Sequence, residues 1–357
     1  MPASTEPTVR IHRAVLQLPP QADWEPTTPE TPWLAYWGET LDVVRTDLTE
    51  RGVGCEIVLT QKQDEIPWTG DRTVAVMYGD ILGQPGYAHK VAMIFQALGR
   101  NRRLAPSATK LRVSGPRSAL VGWALTVRAK RHEQARLPEG APVVQSRDIP
   151  LGTYNMVDVP IPQIAEREVD VAFDGSVSHW AGWWGTFQRL VAAPKIRHRQ
   201  LMTDALEQFI AAHPEYRVRL KLRGHFVQAA DSADTDDTPE AYSQRLAGTK
   251  IVVCPPGTLP LTFRHFEALR AGCVPVVLDM PDTEYLSGAP FVKVARWSEL
   301  PDVLAGLLAD PARLQRLSTD ARRHWEERLA PSKVGPKIAA EIASVLGVSA
   351  PVQGGVA

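Results

Sequence analysis

Between Ile251 and Leu278 the chain carries residues whose types and spacing suit an anion with hydroxyl groups beside it. An apolar stretch, Ile251 to Cys254, enters a loop holding Pro255, Pro256, Gly257 and Pro260, and then the helical pattern Phe263 to Ala271. Thr262 stands where a helix cap is expected, because its hydroxyl can accept an amide that the first turn leaves unpaired. The other free amides and the positive end of the helix dipole favour a phosphate. Arg264, in the first turn, can meet phosphate oxygens with two parallel hydrogen bonds. Glu267 follows three residues later on roughly the same side, where a carboxylate can accept from both hydroxyls of a ribose diol. Phe263, Phe266 and Leu269 form an apolar stripe to pin the helix, and Gly272 is placed to end it. On spacing alone a plainer outcome stands beside this one, with Thr262 as a simple cap and Arg264 and Glu267 as an ion pair.

Other residues have the right chemistry with less context. Gly175 and Ser176 follow the apolar run Val169 to Phe173, where glycine permits close backbone approach and serine offers a donor. Lys221 and His225 bracket Gly224 after another strand pattern. A general base calls for a carboxylate or an imidazole, and Asp80, after the apolar run Thr73 to Tyr78, is the first candidate, with His89 the second. Trp180, Trp183 and Trp184, beside His179, can stack on a sugar or wedge two lobes together. The acidic run Asp231 to Glu240 lacks the spacing of a calcium loop, and no His-Glu-x-x-His helix occurs, so no metal site is expected.

The elements that must position these residues read as two α/β series. In the first, the patterns give a strand from Val9 to Leu18, a helix from Leu34 to Arg51, strands Cys55 to Thr60 and Thr73 to Tyr78, and a helix from Lys90 to Leu98. Asp148 to Pro162, with four prolines and glycines, reads as a crossing between domains. The second series has strands Val169 to Phe173, Tyr216 to Leu222, Ile251 to Cys254 and Val274 to Leu278. Its helices are Ile196 to Ala211, Tyr242 to Leu246, Phe263 to Ala271, Leu300 to Leu308 and Pro311 to Leu329, with a last helix from Lys333 to Leu346. The expected fold class is therefore α/β, with two Rossmann-like lobes around an interdomain cleft. Residues 1–155 form the first domain and 156–330 the second, and 331–357 form a helix and tail placed to pack across the lobes.

Length and composition fit that plan. The 357 residues suffice for two domains with real cores, and 44% hydrophobic with 22% charged residues is ordinary for a globular chain. Forty basic residues balance forty acidic ones, which excludes a globally basic nucleic-acid binder. Three widely spaced cysteines, Cys55, Cys254 and Cys273, exclude a disulfide scaffold and a cysteine-cluster metal site. The start has no signal-peptide pattern and no apolar run spans a membrane, so a cytoplasmic setting is expected.

With these residues in view, the chain resembles the exostosin-like glycosyltransferases, two-lobed enzymes with the GT-B arrangement. The resemblance is carried by Tyr242 to Lys250, Ile251 to Cys254, the Pro255 to Gly257 loop, Thr262 to Arg264, Glu267 to Leu269, Ala271-Gly272 and Val274 to Val276. It extends more weakly through Asn155 to Pro162 and Val171 to Ser176, and Arg197 resembles an arginine commonly placed on the next helix. It implies transfer of a sugar from a nucleoside-diphosphate sugar, UDP- or GDP-linked, to a hydroxyl of a small molecule or glycan precursor, with inversion and with no other cofactor. The second lobe would hold the nucleotide through Gly175, Ser176, Arg197, Lys221, His225, Gly257, Thr262, Arg264 and Glu267. Arg264 would also act catalytically, because negative charge builds on the diphosphate as the glycosidic bond breaks. The competing expectations are a non-catalytic nucleotide-sugar-binding module and a sugar-nucleotide epimerase or hydrolase.

Overall fold

The computed structural model describes residues 8–16, 18–26, 32–79, 84–97, 144–154, 156–176, 194–223, 238–257, 260–280 and 283–347. The chain forms two compact units, and it passes between them at Leu151–Gly152 and again at Glu327–Arg328.

The first unit is built on five parallel strands in the order β1-β2-β3-β4-β5. These are β1 (Val9–Ala14), β2 (Cys55–Thr60), β3 (Gly70–Met77), β4 (Val91–Ala97) and β5 (Gln145–Ile149). Helix α1 (Ala35–Glu50) buries Leu41, Val44 and Leu48, which helical spacing puts on one side. The segment from Lys90 to Leu98 was expected to be a helix, and it is β4. Val91, Met93, Ile94, Phe95 and Ala97 are all buried, as in a strand covered on both faces, so the run shows no alternation. Residues of the connections around it, Ile66, Trp68, Tyr87 and Ala88, close over Val58, Ala75, Met77 and Ile94.

The helix at the end of the chain, α7 (Pro331–Val345), returns to this first unit and packs along α1. Close approach depends on Gly335. A Cβ there would stand 2.6 Å from Val43 Cγ1 and 3.1 Å from the Thr40 carbonyl oxygen. Gly335→Ala should therefore push the two helices apart and cost roughly 1–3 kcal/mol in thermal or denaturant unfolding. Adding Val43→Ala should recover part of the loss.

The second unit has five parallel strands in the order β10-β9-β8-β6-β7. They are β6 (Val169–Ser176), β7 (Val218–Arg223), β8 (Thr249–Cys254), β9 (Val274–Leu278) and β10 (Val292–Val294). Val171, Phe173, Ile251, Val253, Val274 and Val276 lie in one core with Met202, Leu206 and Phe209 of α2 (Pro194–Ala212) and Leu300 and Leu304 of α5 (Leu300–Leu308). On strands with a period of two, Val252, Cys254 and Val277 face the other way. There the sheet meets α4 (Phe263–Arg270), whose Arg264 carbonyl accepts from the Cys254 thiol at 3.8 Å. Helices α3 (Pro239–Ala247) and α6 (Pro311–His324) complete the unit. The expectation of an α/β fold with two parallel sheets therefore holds.

The strand order positions the site. From β6 the chain steps outward to β7, then returns past β6 to place β8 on its opposite side. Crossovers of opposite sense leave a crevice at the carboxyl ends of the two strands where the order reverses. Here those ends are Asp174–Ser176 and Cys254–Gly257.

Candidate functional site: the carboxyl edge of the second sheet

The crevice between the ends of β6 and β8 receives the first turn of α4. Thr262 is the N-cap, in extended conformation at φ −138° and ψ 163°. Its backbone amide donates to Nδ1 of His265 at 3.1 Å, and its hydroxyl lies 3.1 Å from the same nitrogen. The box that a Glu or Gln usually closes is thus closed by an imidazole. His265 is 1% exposed, and burial pushes its pKa down to about 4, so the ring is neutral and Nδ1 is free to accept.

That depressed pKa has a thermodynamic consequence. Above the ordinary value of 6.5 the ring is neutral in both the folded and the unfolded chain. As pH falls from there towards about 4, only the unfolded chain takes up the proton, so stability drops across that window. The full loss is on the order of 3 kcal/mol. Denaturant titrations at pH 7 and pH 4.5 should show it, and His265→Asn, which keeps an acceptor near the Nδ1 position, should remove this part of the pH dependence.

Arg264 points to the end of β6. Its Nη2 donates to the Asp174 carbonyl, and the guanidinium lies over the Phe173 ring, 5.0 Å from the centroid. Gly175 makes room for it. A Cβ at that position would stand 3.2 Å from both Nη1 and Nη2 and 3.0 Å from Phe173 Cζ. Two residues read separately from the sequence are therefore in contact. Thr262, Phe263 and Arg264 are each half-buried, so the first turn keeps an open side. The Asp174 carboxylate, 11% exposed, has Arg245 Nη2 of α3 at 3.6 Å, and Lys221 is its register partner on β7.

Glu267 is 4% exposed and takes a donor on each oxygen: the Tyr154 amide on Oε1 at 3.1 Å and the Tyr242 hydroxyl on Oε2 at 2.7 Å. The ion pair that spacing left open does not form, because Arg264 is held at Asp174 and Glu267 by the two tyrosines. The expected apolar stripe also needs correcting. Phe266 and Leu269 are buried, but Phe263 is half-buried and tilted against Tyr154 at 4.9 Å between centroids. His265 through Leu269 are all buried, so α4 is half-open at its first turn and at Arg270, and Glu267 stands one helical turn below that opening, on the side of Arg264. Gly272 ends the helix at φ +60°, the left-handed conformation that the C′ position favours.

The remaining candidates are spread more widely. Gly257 is buried at the carboxyl end of β8. Ser176 is the last residue of β6 and Arg197 lies in the first turn of α2, though their side chains are outside the described residues. Asp80, His225, His179, Trp180, Trp183, Trp184 and the acidic run up to Asp237 also lie outside them. His89 belongs to the first unit, where it lines a cavity of about 730 Å³ with Leu16, Lys62, Asp64, Glu65 and Lys90. Its Nδ1 is buried with no hydrogen-bond partner among the described residues.

Three residues around the site were not singled out from the sequence, although Tyr242 opens a segment that carries the resemblance. Tyr154 and Tyr242 reach Glu267 from 113 and 25 residues away. Arg167, 4% exposed, donates to the carbonyls of Thr249 and Ala271, at 2.8 and 3.0 Å. Flanked by Glu166 and Glu168, it has the look of a surface residue. Among the described residues no group of three or more His, Cys, Asp or Glu stands where it could hold a metal ion, and no helix is long and apolar enough to cross a membrane.

A parallel sheet with a half-open helix turn and an arginine at its switch point is an arrangement suited to receiving an anion. Comparison with known proteins narrows this. Residues 218–324 match the family model described as the RXYLT1 C-terminal domain. Ribitol-5-phosphate xylosyltransferase 1 of Danio rerio is 32% identical over 84 residues, which take in 20% of this chain and 19% of that protein. The match thus spans about a fifth of that relative. Among solved structures, sucrose-phosphate synthase from Thermosynechococcus elongatus aligns with a TM-score of 0.46 at 12% identity, over 96% of this chain and 100% of that one. The GtfA/B complex aligns at 0.42 and 13%, over 87% of this chain and 60% of that one. The segment carrying Tyr242, Arg264 and Glu267 is thus the part of the chain that resembles the RXYLT1 C-terminal domain, while the fold class rests on the two parallel sheets themselves.

Proposed function

We propose that this protein is a glycosyltransferase of the exostosin-like, GT-B kind, moving a sugar from a UDP- or GDP-sugar to an acceptor hydroxyl with inversion. The observation that carries the reading is the Arg264 guanidinium, held against Gly175 near the end of β6 at the switch point of the second sheet, beside a half-open helix N-terminus. In this reading the diphosphate meets Arg264, the α4 amides and the backbone at Gly175 and Gly257, with Ser176, Arg197, Lys221 and His225 as further contacts. The ribose diol meets Glu267, using the lone pairs that Tyr154 and Tyr242 leave free. Arg264 then steadies the charge that develops on the leaving diphosphate, an electrostatic gain that is largest in the transition state.

The first unit is assigned the acceptor. Its cavity around His89 offers an imidazole between lysines and carboxylates, suited to a polyhydroxylated molecule, and His89 or Asp80 is assigned the base. The name of the Danio rerio relative makes a sugar-alcohol phosphate the first acceptor to try and UDP-xylose the first donor. Domains 1–155 and 156–330 with a C-terminal helix, and a cytoplasmic setting, belong to the same proposal.

The test is a binding panel of UDP, GDP, dTDP and ADP with the wild type, Arg264→Ala and Glu267→Ala, followed by donor turnover with and without acceptors. One preferred nucleotide, loss of affinity in both variants and acceptor-dependent release of the nucleoside diphosphate are expected. Binding without turnover would identify a non-catalytic module, and free or epimerised sugar without acceptor a hydrolase or epimerase. Full affinity in both variants would remove the donor site from this edge.

A further inference from the structure

Glu267 does not stand alone. It sits among buried neighbours with 4% exposure, in a helix whose next residues, Ala268 and Leu269, are fully covered. A carboxylate in such a place has few rotamers, yet its plane is still free to turn about the last side-chain bond. Two donors from separate parts of the chain stop that turn. The Tyr154 amide, fixed by the backbone and by the contact of its own ring with Phe263, holds Oε1. The Tyr242 hydroxyl, presented by α3, holds Oε2 at 2.7 Å.

Tyr242 is suited to that task. Burial, followed by the neighbouring Glu267 carboxylate, raises its pKa well above the ordinary phenol value, so the hydroxyl keeps its proton and remains a donor. Helix α3 is itself fixed at several points. Its Ser243 hydroxyl accepts the Val157 amide at 3.0 Å and donates to the Pro239 carbonyl at 2.7 Å, and Thr238 caps its start. Each carboxylate oxygen has two acceptor positions. One donor on each leaves one position free on each, which is the pattern a vicinal diol fills with its two hydroxyls.

We propose that Tyr242 is a positioning residue for nucleotide recognition: by donating to Oε2 it sets the plane of the Glu267 carboxylate so that both oxygens face the 2′- and 3′-hydroxyls of the donor ribose. The inference rests on the nucleotide-sugar reading of this site and adds to it the residue that gives ribose its selectivity. Tyr242 touches Glu267 rather than the reacting atoms, so its effect falls on discrimination between ribose and deoxyribose.

The experiment compares UDP with 2′-deoxy-UDP, and GDP with 2′-deoxy-GDP, by calorimetry on wild type, Tyr242→Phe and Glu267→Gln. Tyr242→Phe keeps the ring and deletes only the donor. Wild type is expected to prefer the ribonucleotide by roughly 10-fold or more, the difference of one charge-assisted hydrogen bond. Tyr242→Phe should shrink that preference at least threefold, with a smaller loss for the 2′-deoxy form, which keeps only the 3′-hydroxyl contact. A merely structural role would weaken both forms alike, and that result overturns the proposal, as does an undiminished preference in Tyr242→Phe. If Glu267→Gln loses the preference and Tyr242→Phe keeps it, the ribose reading stands and the positioning role fails. If wild type shows no preference, or binds neither nucleotide, the ribose reading fails first and this inference with it.

Discussion

Replacing Arg264 with alanine should weaken nucleoside-diphosphate binding on the order of 100-fold, the largest effect expected of any single change at the site. A charged hydrogen bond contributes about 1.5–3 kcal/mol, and 100-fold corresponds to one such bond near the top of that range. The structure adds a reason to expect the upper part of that range. Arg264 is already aimed by its bond to the Asp174 carbonyl and by the face of Phe173, so little side-chain entropy remains to be lost on binding. Arg264→Lys keeps the charge but loses the planar fork, and should recover only part of the affinity. Gly175→Ala provides an independent check from the other side of the contact. Its methyl would press on both terminal nitrogens at 3.2 Å and displace the guanidinium by tenths of an ångström, for an expected loss of roughly 10-fold. Unfolding midpoints should also fall, by roughly 1–3 kcal/mol, because the methyl meets the buried Phe173 ring at 3.0 Å as well as the guanidinium, so affinity is compared at temperatures where both proteins are folded. Affinities for UDP and GDP unchanged from wild type in Arg264→Ala and Gly175→Ala would detach this arginine from the function.

What the sequence made legible divides along a physical line. Strands and helices with clear periods or clear ends were read to the residue, as at Cys55–Thr60, Val274–Leu278 and Leu300–Leu308. The misreading of β4 has a definite cause, since a run buried on both faces carries neither period. Strand β5 was passed over for the opposite reason. It is an edge strand made of Gln145, Ser146, Arg147, Asp148 and Ile149, with a single apolar side chain. At the site, local spacing found Thr262, Arg264 and Glu267 because helix geometry makes near neighbours in sequence near neighbours in space. It could not show where their polar atoms go. Arg264 turns to a carbonyl 90 residues away, and Glu267 to donors on two other segments. Those partners depend on how α3, α4 and the stretch after Leu151 pack, and no pattern within one element encodes that.

Arg167→Met should destabilise the second unit by roughly 3–5 kcal/mol without touching the proposed ligand contacts. The guanidinium is buried, and its neighbours are carbonyls and a thiol rather than a carboxylate. Nη1 donates to the Thr249 carbonyl at 2.8 Å and reaches Cys273 Sγ at 3.6 Å, Nη2 donates to the Ala271 carbonyl at 3.0 Å, and Nε to the Pro162 carbonyl at 3.3 Å. Burial lowers its pKa, the sign of a cation held at some desolvation cost, while the carbonyl dipoles and the fork geometry keep it in place. Those three carbonyls belong to the lead-in to β6, the start of β8 and the end of α4, so one side chain ties together the strands and the helix that form the switch point. Methionine fills much of the volume but leaves the carbonyls without donors inside the protein, where each orphaned group costs about 1–3 kcal/mol. Arg167→Lys supplies a single charged point in place of the fork and should lie between the two. Denaturant unfolding at pH 7 measures the loss, and nucleotide binding by the fraction still folded at low temperature separates stability from recognition. A folded Arg167→Met protein with an unchanged midpoint would mean that these carbonyls find water, and that the switch point is held by the sheet and its helices alone.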